Sequence, residues 1–471
     1  MKSRSGSMWA SRPLAATIVA VAAAVAPPPW RGADEPAHWP KDRVELRGGK
    51  QYEGWIESED ARWVHLITVE QPRGRRPYAV IRPLPRAEIA RIDRTDESHR
   101  AAMRQRIERL RHRAQIEAAR LEAIELTLDA DREPPRYLYH GAWFTLECAT
   151  SEPMARRLAA ALEQAFTGYR QVLRARTEPI TRLSILVFGD ARQYDEQLRR
   201  LGVRIGNPAC FVPAANQVLA GTHFARLEAE AANVEAANAQ RQQEIDALRR
   251  GVPRVLAALS DQLKADGMPD DERRQALNHR RMKLQREIES QQQALVAARR
   301  ENQGQIDQEI AAVVRRLNHE AFHAYVENYV FPRDAADVPL WLNEGLAQAF
   351  EAAVCDGAVL RLDAPNPPAA TLLATEAREN RLLPLDDLLA AGPREFLAGS
   401  ETRRYYAYAW ALVHYLAFER ECLDPDALAD YVARRPDPAS AGAARARFER
   451  LVGAHWDDVE NDWRRYLGAL R

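Results

Sequence analysis

The chain has little cysteine and no excess of either charge, and both shortages narrow what it can be. Of its 471 residues only four are cysteine, Cys148, Cys210, Cys355 and Cys422, and no two stand in a Cys-x-x-Cys spacing. That excludes a thiolate zinc site and a dithiol redox motif, and it leaves disulfide pairing unassigned. Lysine and arginine together number 67, as do aspartate and glutamate, so the formal net charge is zero. Binding to nucleic acid or to an anionic membrane calls for a surface of one sign, so neither is an expected partner. The apolar run from Leu14 to Ala26 is shorter than the roughly 20 residues a membrane-spanning helix needs.

Preceded by Lys2, Arg4 and Arg12, that run reads as an export signal over residues 1–26, with Ala24-Val25-Ala26 in the small-x-small form of a cleavage site. Pro27 directly after it opposes cleavage, so an uncleaved N-terminal anchor is the alternative. No cysteine lies near enough for a lipid anchor. The expected location is outside the cytoplasm, in a periplasm or cell envelope.

With 46% apolar residues, a chain of this length buries a substantial core and is expected to hold two or three structural units of α+β class. Residues 41–95 carry short alternating runs, Val44 to Leu46, Tyr52 to Ile56, Trp63 to Val69, Tyr78 to Ile81 and Ile89 to Ile92. With turns at Gly48-Gly49 and Pro72 to Pro77, they predict a small SH3-like antiparallel barrel. It holds no catalytic constellation and is expected to pack or adapt. A charged linker helix is expected over 97–132, from Glu97 to about Ala130, ended by Pro134-Pro135.

Residues 137–222 predict an α+β unit. Its elements are a strand over Trp143 to Cys148, a helix over Glu152 to Arg174 and a strand over Leu183 to Phe188. A hairpin of Cys210 to Val212 with Gln217 to Ala220 closes it. Residues 223–304 then interrupt the unit with a segment rich in Ala, Gln, Glu and Arg. Leu227, Ala231, Val234, Asn238, Arg241, Ile245 and Leu248 follow 4-3 spacing, and Leu277, Leu284, Ile288 and Leu295 continue it on the way back. This predicts a coiled-coil hairpin, with Gly251, Pro253, Gly267 and Pro269 punctuating the turn region. The hairpin is either a contact surface for a protein partner or a second copy, or a solvated arm without a ligand.

The chemistry lies in residues 305–471. Ile306, Ile310, Val313, Val314, Leu317 and Ala321 form one helical stripe, and His319 and His323, four apart, share another face. Two imidazoles one turn apart can bind one tetrahedral zinc, while Glu320 between them can take a proton from water without being a ligand. Twenty residues separate His323 from Glu344 in Trp341-Leu342-Asn343-Glu344-Gly345, which is room for a turn through Pro332 to Pro339 and a second helix returning a carboxylate to the metal. Gln348 and Glu351, one and two turns later, and Asn318 and Asn343 can orient the ligands or simply face solvent.

HEAFH followed by WLNEGLA resembles the gluzincin zinc metallopeptidases, and the second string looks like the WLNEG signature of the alanyl-type zinc aminopeptidases. The resemblance implies His319, His323 and Glu344 as zinc ligands and Glu320 as general base. More loosely, Tyr137 to Arg471 is similar to the peptidase-MA-like families of exported bacterial proteins, which implies a mixed-sheet subdomain and a helical subdomain flanking the site. The Gly-x-Met-Glu-Asn segment with which the aminopeptidases hold a free amine has no counterpart before His319. The expected activity is therefore that of an exported endopeptidase on a peptide or protein substrate rather than an aminopeptidase. Related enzymes place a tyrosine across the cleft to stabilise the oxyanion, and here Tyr406 and Tyr408 are the candidates, an aromatic core face being the competing reading. The C-terminal part, with Pro384 to Leu389, a long helix over Tyr405 to Arg420, and Phe448, Trp456 and Trp463 in amphipathic segments, is expected to be all helical. The hairpin around Cys210 to Ala220 can offer an edge strand to an extended peptide, a role to be probed by proline at Val218 or Leu219. The alternative to an enzyme is a catalytically silent envelope scaffold or binding protein on a peptidase-like fold.

Overall fold

The structure is a computed structural model that describes residues 40–70, 76–178, 181–331, 338–356, 359–398, 400–433 and 441–470. The expected signal segment lies outside the described residues, as do most of the turns expected at Pro72 to Pro77 and Pro332 to Pro339.

The chain is α+β. Alternating residues build β1 (Asp42–Leu46), β2 (Gln51–Glu59), β3 (Trp63–Glu70), β4 (Tyr78–Pro85) and β5 (Ile89–Asp93), an antiparallel sheet in the order β4-β3-β2-β1-β5. Val44, Ile56, Val64, Leu66, Leu84 and Ile89 fill one face. By alternation Trp55 and Ile67 point to the other face, where Met103 and Ile107 cover them, and the register of β2 shifts between Ile56 and Ser58, as a bulge does. Those two residues belong to α1 (Glu97–Arg111), so the expected linker helix is a packed part of this unit. It is also not one helix: it breaks at His112, resumes as α2 (Arg113–Glu122), and gives way to β6 (Thr127–Asp129) well before Pro134.

A six-stranded mixed sheet follows in the order β10-β11-β9-β8-β7-β6, made with β7 (Arg136–His140), β8 (Phe144–Cys148), β9 (Leu183–Phe188), β10 (Ala209–Val212) and β11 (Gln217–Gly221). The parallel pair β8–β9 is joined through α3 (Glu152–Val172), whose apolar stripe covers one face, and α4 (Ala191–Arg200) covers part of the other with Tyr194 and Leu198. The expected hairpin is present, turning through Pro213–Ala215 and Asn216, whose φ of 49° is left-handed. Its edge strand is β10, while β11 lies inside the sheet. Proline at Val218 or Leu219 would therefore break an internal ladder rather than test an edge.

The helical hairpin consists of α5 (Phe224–Ala265) and α6 (Asp270–Tyr325). Its turn lies at 266–269, with Gly267 at φ 76°, so Gly251 and Pro253 sit inside α5 rather than in the turn. Asn238, Ile245, Ile288 and Leu295 are buried at the seam, but Arg241 is exposed and Gln242 takes the cross-helix contact by accepting from Gln292 at 3.3 Å. Nothing separates arm from site: α6 runs unbroken through Gly304 to the His pair, 56 residues or about 84 Å long. At the root of the arm, Ser151 N donates to Glu228 at 2.8 Å and Arg157 pairs with Asp307 at 2.9 Å.

Beyond the arm come α7 (Leu340–Glu351), then β12 (Val354–Asp356) and β13 (Val359–Arg361), an antiparallel pair that makes the C-terminal part not wholly helical. The remaining elements are α8 (Pro367–Arg378), α9 (Leu385–Ala390), α10 (Thr402–His414), α11 (Pro425–Ala433), α12 (Ala441–Val452) and α13 (Trp456–Ala469). One continuous core joins α3, α6, α7, α10 and the C-terminal helices, including Trp341, Trp410 and Trp463. Among the described residues no helix is long and apolar enough to cross a membrane.

Candidate functional site

Two helices set the site, and aromatic packing fixes the distance between them. On α6, Phe322 faces inward and stacks on Phe350 of α7 at 5.1 Å between ring centroids, with the ring of Tyr169 edge-on to Phe350 at 4.6 Å. The Tyr169 hydroxyl donates to Asn318 O at 2.7 Å, and Asn318 Nδ2 donates to Phe350 O at 3.4 Å. Asn318 thus ties the core together and does not reach the histidines. On the far side of α7, Gly345 lies so close to α10 that a Cβ there would meet Ala409 O at 2.4 Å and Val413 Cγ2 at 2.6 Å. Only glycine fits, which accounts for the residue that follows Glu344 in the motif.

With the helices so placed, His319, His323 and Glu344 converge. Glu344 Oε2 is 3.6 Å from His319 Nε2 and 3.5 Å from His323 Nε2, and the three ligand atoms lie within 4.8 Å of one another. Donor atoms bound about 2.1 Å from one tetrahedral zinc stand about 3.4 Å apart, so the trio fits such an ion. Glu344 is buried, and its Oε2 has no hydrogen-bond partner among the described residues. An orphaned carboxylate oxygen between two imidazoles is costly unless a cation or proton sits there.

The far nitrogens of both rings are held. Glu351 Oε2 lies 3.0 Å from His319 Nδ1, and Asn343 Oδ1 lies 3.2 Å from His323 Nδ1. A carboxylate only accepts, so Nδ1 of His319 carries a proton, and in the neutral form that a metal requires the Nε2 lone pair would face the cluster. Gln348 serves the packing instead, since its Nε2 donates to Tyr406 O at 2.8 Å and ties α7 to α10. Electrostatics follow the same geometry. Burial opposes a charge on His319, but Glu344 and Glu351 outweigh it and push the pKa up to about 10. Burial likewise opposes the charge on Glu344, yet the two imidazoles hold the carboxyl well below its usual range.

Glu320 lies beside the trio, not in it. Its Oε2 accepts from Phe211 N at 2.8 Å, and burial raises its pKa against the pull of both imidazoles and that N–H. Since Phe211 belongs to the edge strand β10, the carboxylate bridges the active helix and the sheet edge. Sequence reasoning had no signal for this contact, because 109 residues separate the partners. A cleft of about 980 Å³ opens over the group, walled by Phe211 and Pro213 on one side and by Thr402 and Tyr406 on the other.

The structure separates the two tyrosines. Tyr406 lines the cleft, and burial together with Glu344 raises its hydroxyl pKa. Tyr408 does not line it. That side chain is fully buried, donating to Glu376 Oε2 at 2.8 Å and accepting from Leu383 N at 2.9 Å, which corrects its candidacy as a catalytic group. Residues two apart on a helix point to nearly opposite sides, so only one of the pair can face the cleft. The four cysteines are unpaired; Cys210 lines the cleft, where burial raises its thiol pKa.

A family model described as "Protein of unknown function (DUF1570)" matches residues 310–436. The matched span takes in the end of α6 with both histidines, all of α7 and α10, but neither the N-terminal sheet nor most of the arm. No curated protein matches the chain.

Proposed function

We propose that the chain is a zinc-dependent metallopeptidase of gluzincin type that cleaves peptide bonds within a polypeptide. The observation that carries this reading is the convergence of His319 Nε2, His323 Nε2 and Glu344 Oε2 with both Nδ1 atoms held from behind and Glu320 left free of the cluster. A scaffold would not need that combination.

A zinc ion bound by the trio supplies Lewis acidity to a carbonyl and makes a nearby water more acidic. The chain's own residues do the rest. Glu320 takes the proton of the attacking water and returns it to the leaving amine, its raised pKa suiting both transfers. Tyr406 donates from across the cleft to the oxygen on which negative charge develops. The free edge of β10 pairs with an extended peptide through the backbone groups of Ala209 and the carbonyl of Phe211, whose N–H is already taken by Glu320. Proline at Ala209 is the substitution that tests this pairing.

In the same reading the N-terminal sheet is an SH3-like module, supported by the return of β5 to β1 beside a bulged β2. The N-terminal segment of the sequence supports export to a periplasm or cell envelope. The test is zinc stoichiometry and cleavage of a mixed peptide library by the protein and its Glu320→Gln and His323→Ala variants. About one zinc per chain, retained in Glu320→Gln while cleavage is lost, supports the proposal. No zinc in the parent protein refutes it, and zinc bound with no cleavage of any peptide replaces it with a scaffold.

A further inference from the structure

The arm changes character along its length. Near the body its seam is closed by Asn238, Ile245, Ile288 and Leu295, but no side chain between residues 246 and 287 is fully buried. In that outer half a groove of about 510 Å³ runs between α5 and α6, lined by Leu248, Gly251, Val252, Val255, Leu284 and Ile288. Its origin is local. Gly251 has no side chain and nothing within 4 Å of where a Cβ would stand, while Leu248 and Val255 are 44% and 42% exposed. A leucine and a valine left this open at a helix seam are short of a partner.

Charge says what kind. Residues 249–260 hold three basic side chains and no acidic one, and residues 273–286 hold six basic and no acidic. The cross-helix pairs Glu235–Arg299 and Gln242–Gln292 set a register that brings these stretches level with each other and with the groove. Among the described residues Arg250, Arg254, Arg281, Lys283 and Arg286 are exposed and make no ion pair, whereas Arg273, Arg274 and Arg299 on either side are matched by Asp270, Asp271 and Glu235. Only Glu244 and Glu287, at the body end of the groove, run against this sign.

We propose that the outer half of the arm is a docking groove for an acidic amphipathic helix of a partner protein, which completes a three-helix seam. Apolar side chains at i, i+3 or i+4 and i+7 fill the groove, and flanking carboxylates meet the unpaired basic band. A second copy is disfavoured, because a twofold axis through the groove would set one basic band against the other. An anionic membrane is disfavoured too, since the apolar residues line a recess rather than a protruding face. Because α6 is continuous, the occupant would sit about 50 Å from the histidine pair. The docking does not depend on the peptidase reading, and its test is binding alone.

The probe is a labelled peptide of about 20 residues, made of leucine and glutamate with the leucines on one helical face, titrated by fluorescence anisotropy into the full chain. Saturable binding is expected, weakened about tenfold or more by raising salt from about 50 to about 300 mM. A similar loss is expected in Arg254→Glu/Arg281→Glu and, separately, in Val255→Asp, each with the parent's helix content. Four results would overturn the proposal. They are absence of binding at low salt, equal binding of a peptide with the same composition but scattered leucines, capture instead by phosphatidylcholine–phosphatidylglycerol vesicles, and a doubled mass in solution that Val255→Asp abolishes.

Discussion

Glu351→Ala is the substitution that most directly probes how the candidate metal site is held. The carboxylate touches no ligand atom; it stands 3.0 Å behind His319, on Nδ1. Removing it frees the ring to rotate and to move its proton to Nε2, the atom that faces the other ligands. A partner of this kind is worth about 10- to 100-fold in metal affinity, or about 1.4–2.7 kcal/mol. The Glu351 side chain is 43% exposed, so water already competes for its oxygens and the lower end applies. Zinc affinity is therefore expected to fall about tenfold, measured by competition with a chromophoric chelator, while the circular dichroism spectrum stays unchanged. Glu351→Gln keeps an acceptor oxygen at the same reach and should recover most of the loss. Unaltered zinc affinity in Glu351→Ala would refute the reasoning, since either the ring is not oriented from behind or His319 is not a ligand.

Other parts of the site are open to equally direct tests. Gly345→Ala pushes a methyl group into Ala409 O and Val413, and overpacking of that kind should cost about 1–3 kcal/mol in denaturant unfolding; an unchanged midpoint would mean α7 and α10 are not in tight contact. Tyr408→Phe removes one of two donors to Glu376, Arg404 remaining, and leaves Leu383 N without its acceptor, so stability should fall by about 1–3 kcal/mol with metal binding intact. Tyr406→Phe should do the reverse, lowering turnover about 100-fold or more with little change in stability, and equal behaviour of the two variants would show that the cleft assignment is wrong. In metal-free protein His319 is charged despite its burial, its pKa raised by Glu344 and Glu351 to about 10. A raised pKa stabilises fully below the unfolded value of about 6.5 and is lost as pH rises through the folded one. The melting temperature of chelator-treated protein should therefore drop between about pH 7 and pH 10 by more than that of His319→Gln, and parallel profiles would contradict this. Amide exchange should be fast over 246–287 and slow over 310–325, and uniform protection along α6 would remove the distinction between arm and body.

The site was legible in the sequence where its logic is local. Imidazoles at i and i+4 must share a helix face whatever the fold, and 20 residues give a second helix room to return Glu344. The strands of the two larger sheets were legible as well, most through alternation and β9 as a short apolar run, except β6 and β7. Only three residues long, β6 offers no period to read, and Arg136–His140 is half-buried along most of its length. What stayed hidden depends on tertiary context. Tyr406 and Tyr408 are equally good aromatics until Glu376 and Leu383 claim one of them. The break at His112 and the passage of α5 through Pro253 both run against local preference. The first follows once Met103 and Ile107 commit α1 to the N-terminal sheet. For the second, the proline faces solvent on the outer side of a helix already paired with α6.

The continuity of α6 puts the candidate metal site and the basic arm on one element. Its last four turns are pinned on several sides, by Phe322 on Phe350, by Tyr325 donating to Leu173 O at 2.6 Å, and by the Tyr169 bond to Asn318 O. Its outer half touches only α5, and no side chain between residues 246 and 287 is fully buried. A helix is held in place by the apolar surface it buries more than by its own hydrogen bonds, so the same rod is rigid where the candidate metal ligands sit and loosely held where the basic band lies. Loss or rearrangement of the outer arm therefore has no packed route by which to move His319 and His323, whose positions are set by Phe322, Phe350 and the close approach at Gly345. Binding in the groove is therefore expected to leave the placement of His319, His323 and Glu344 unchanged.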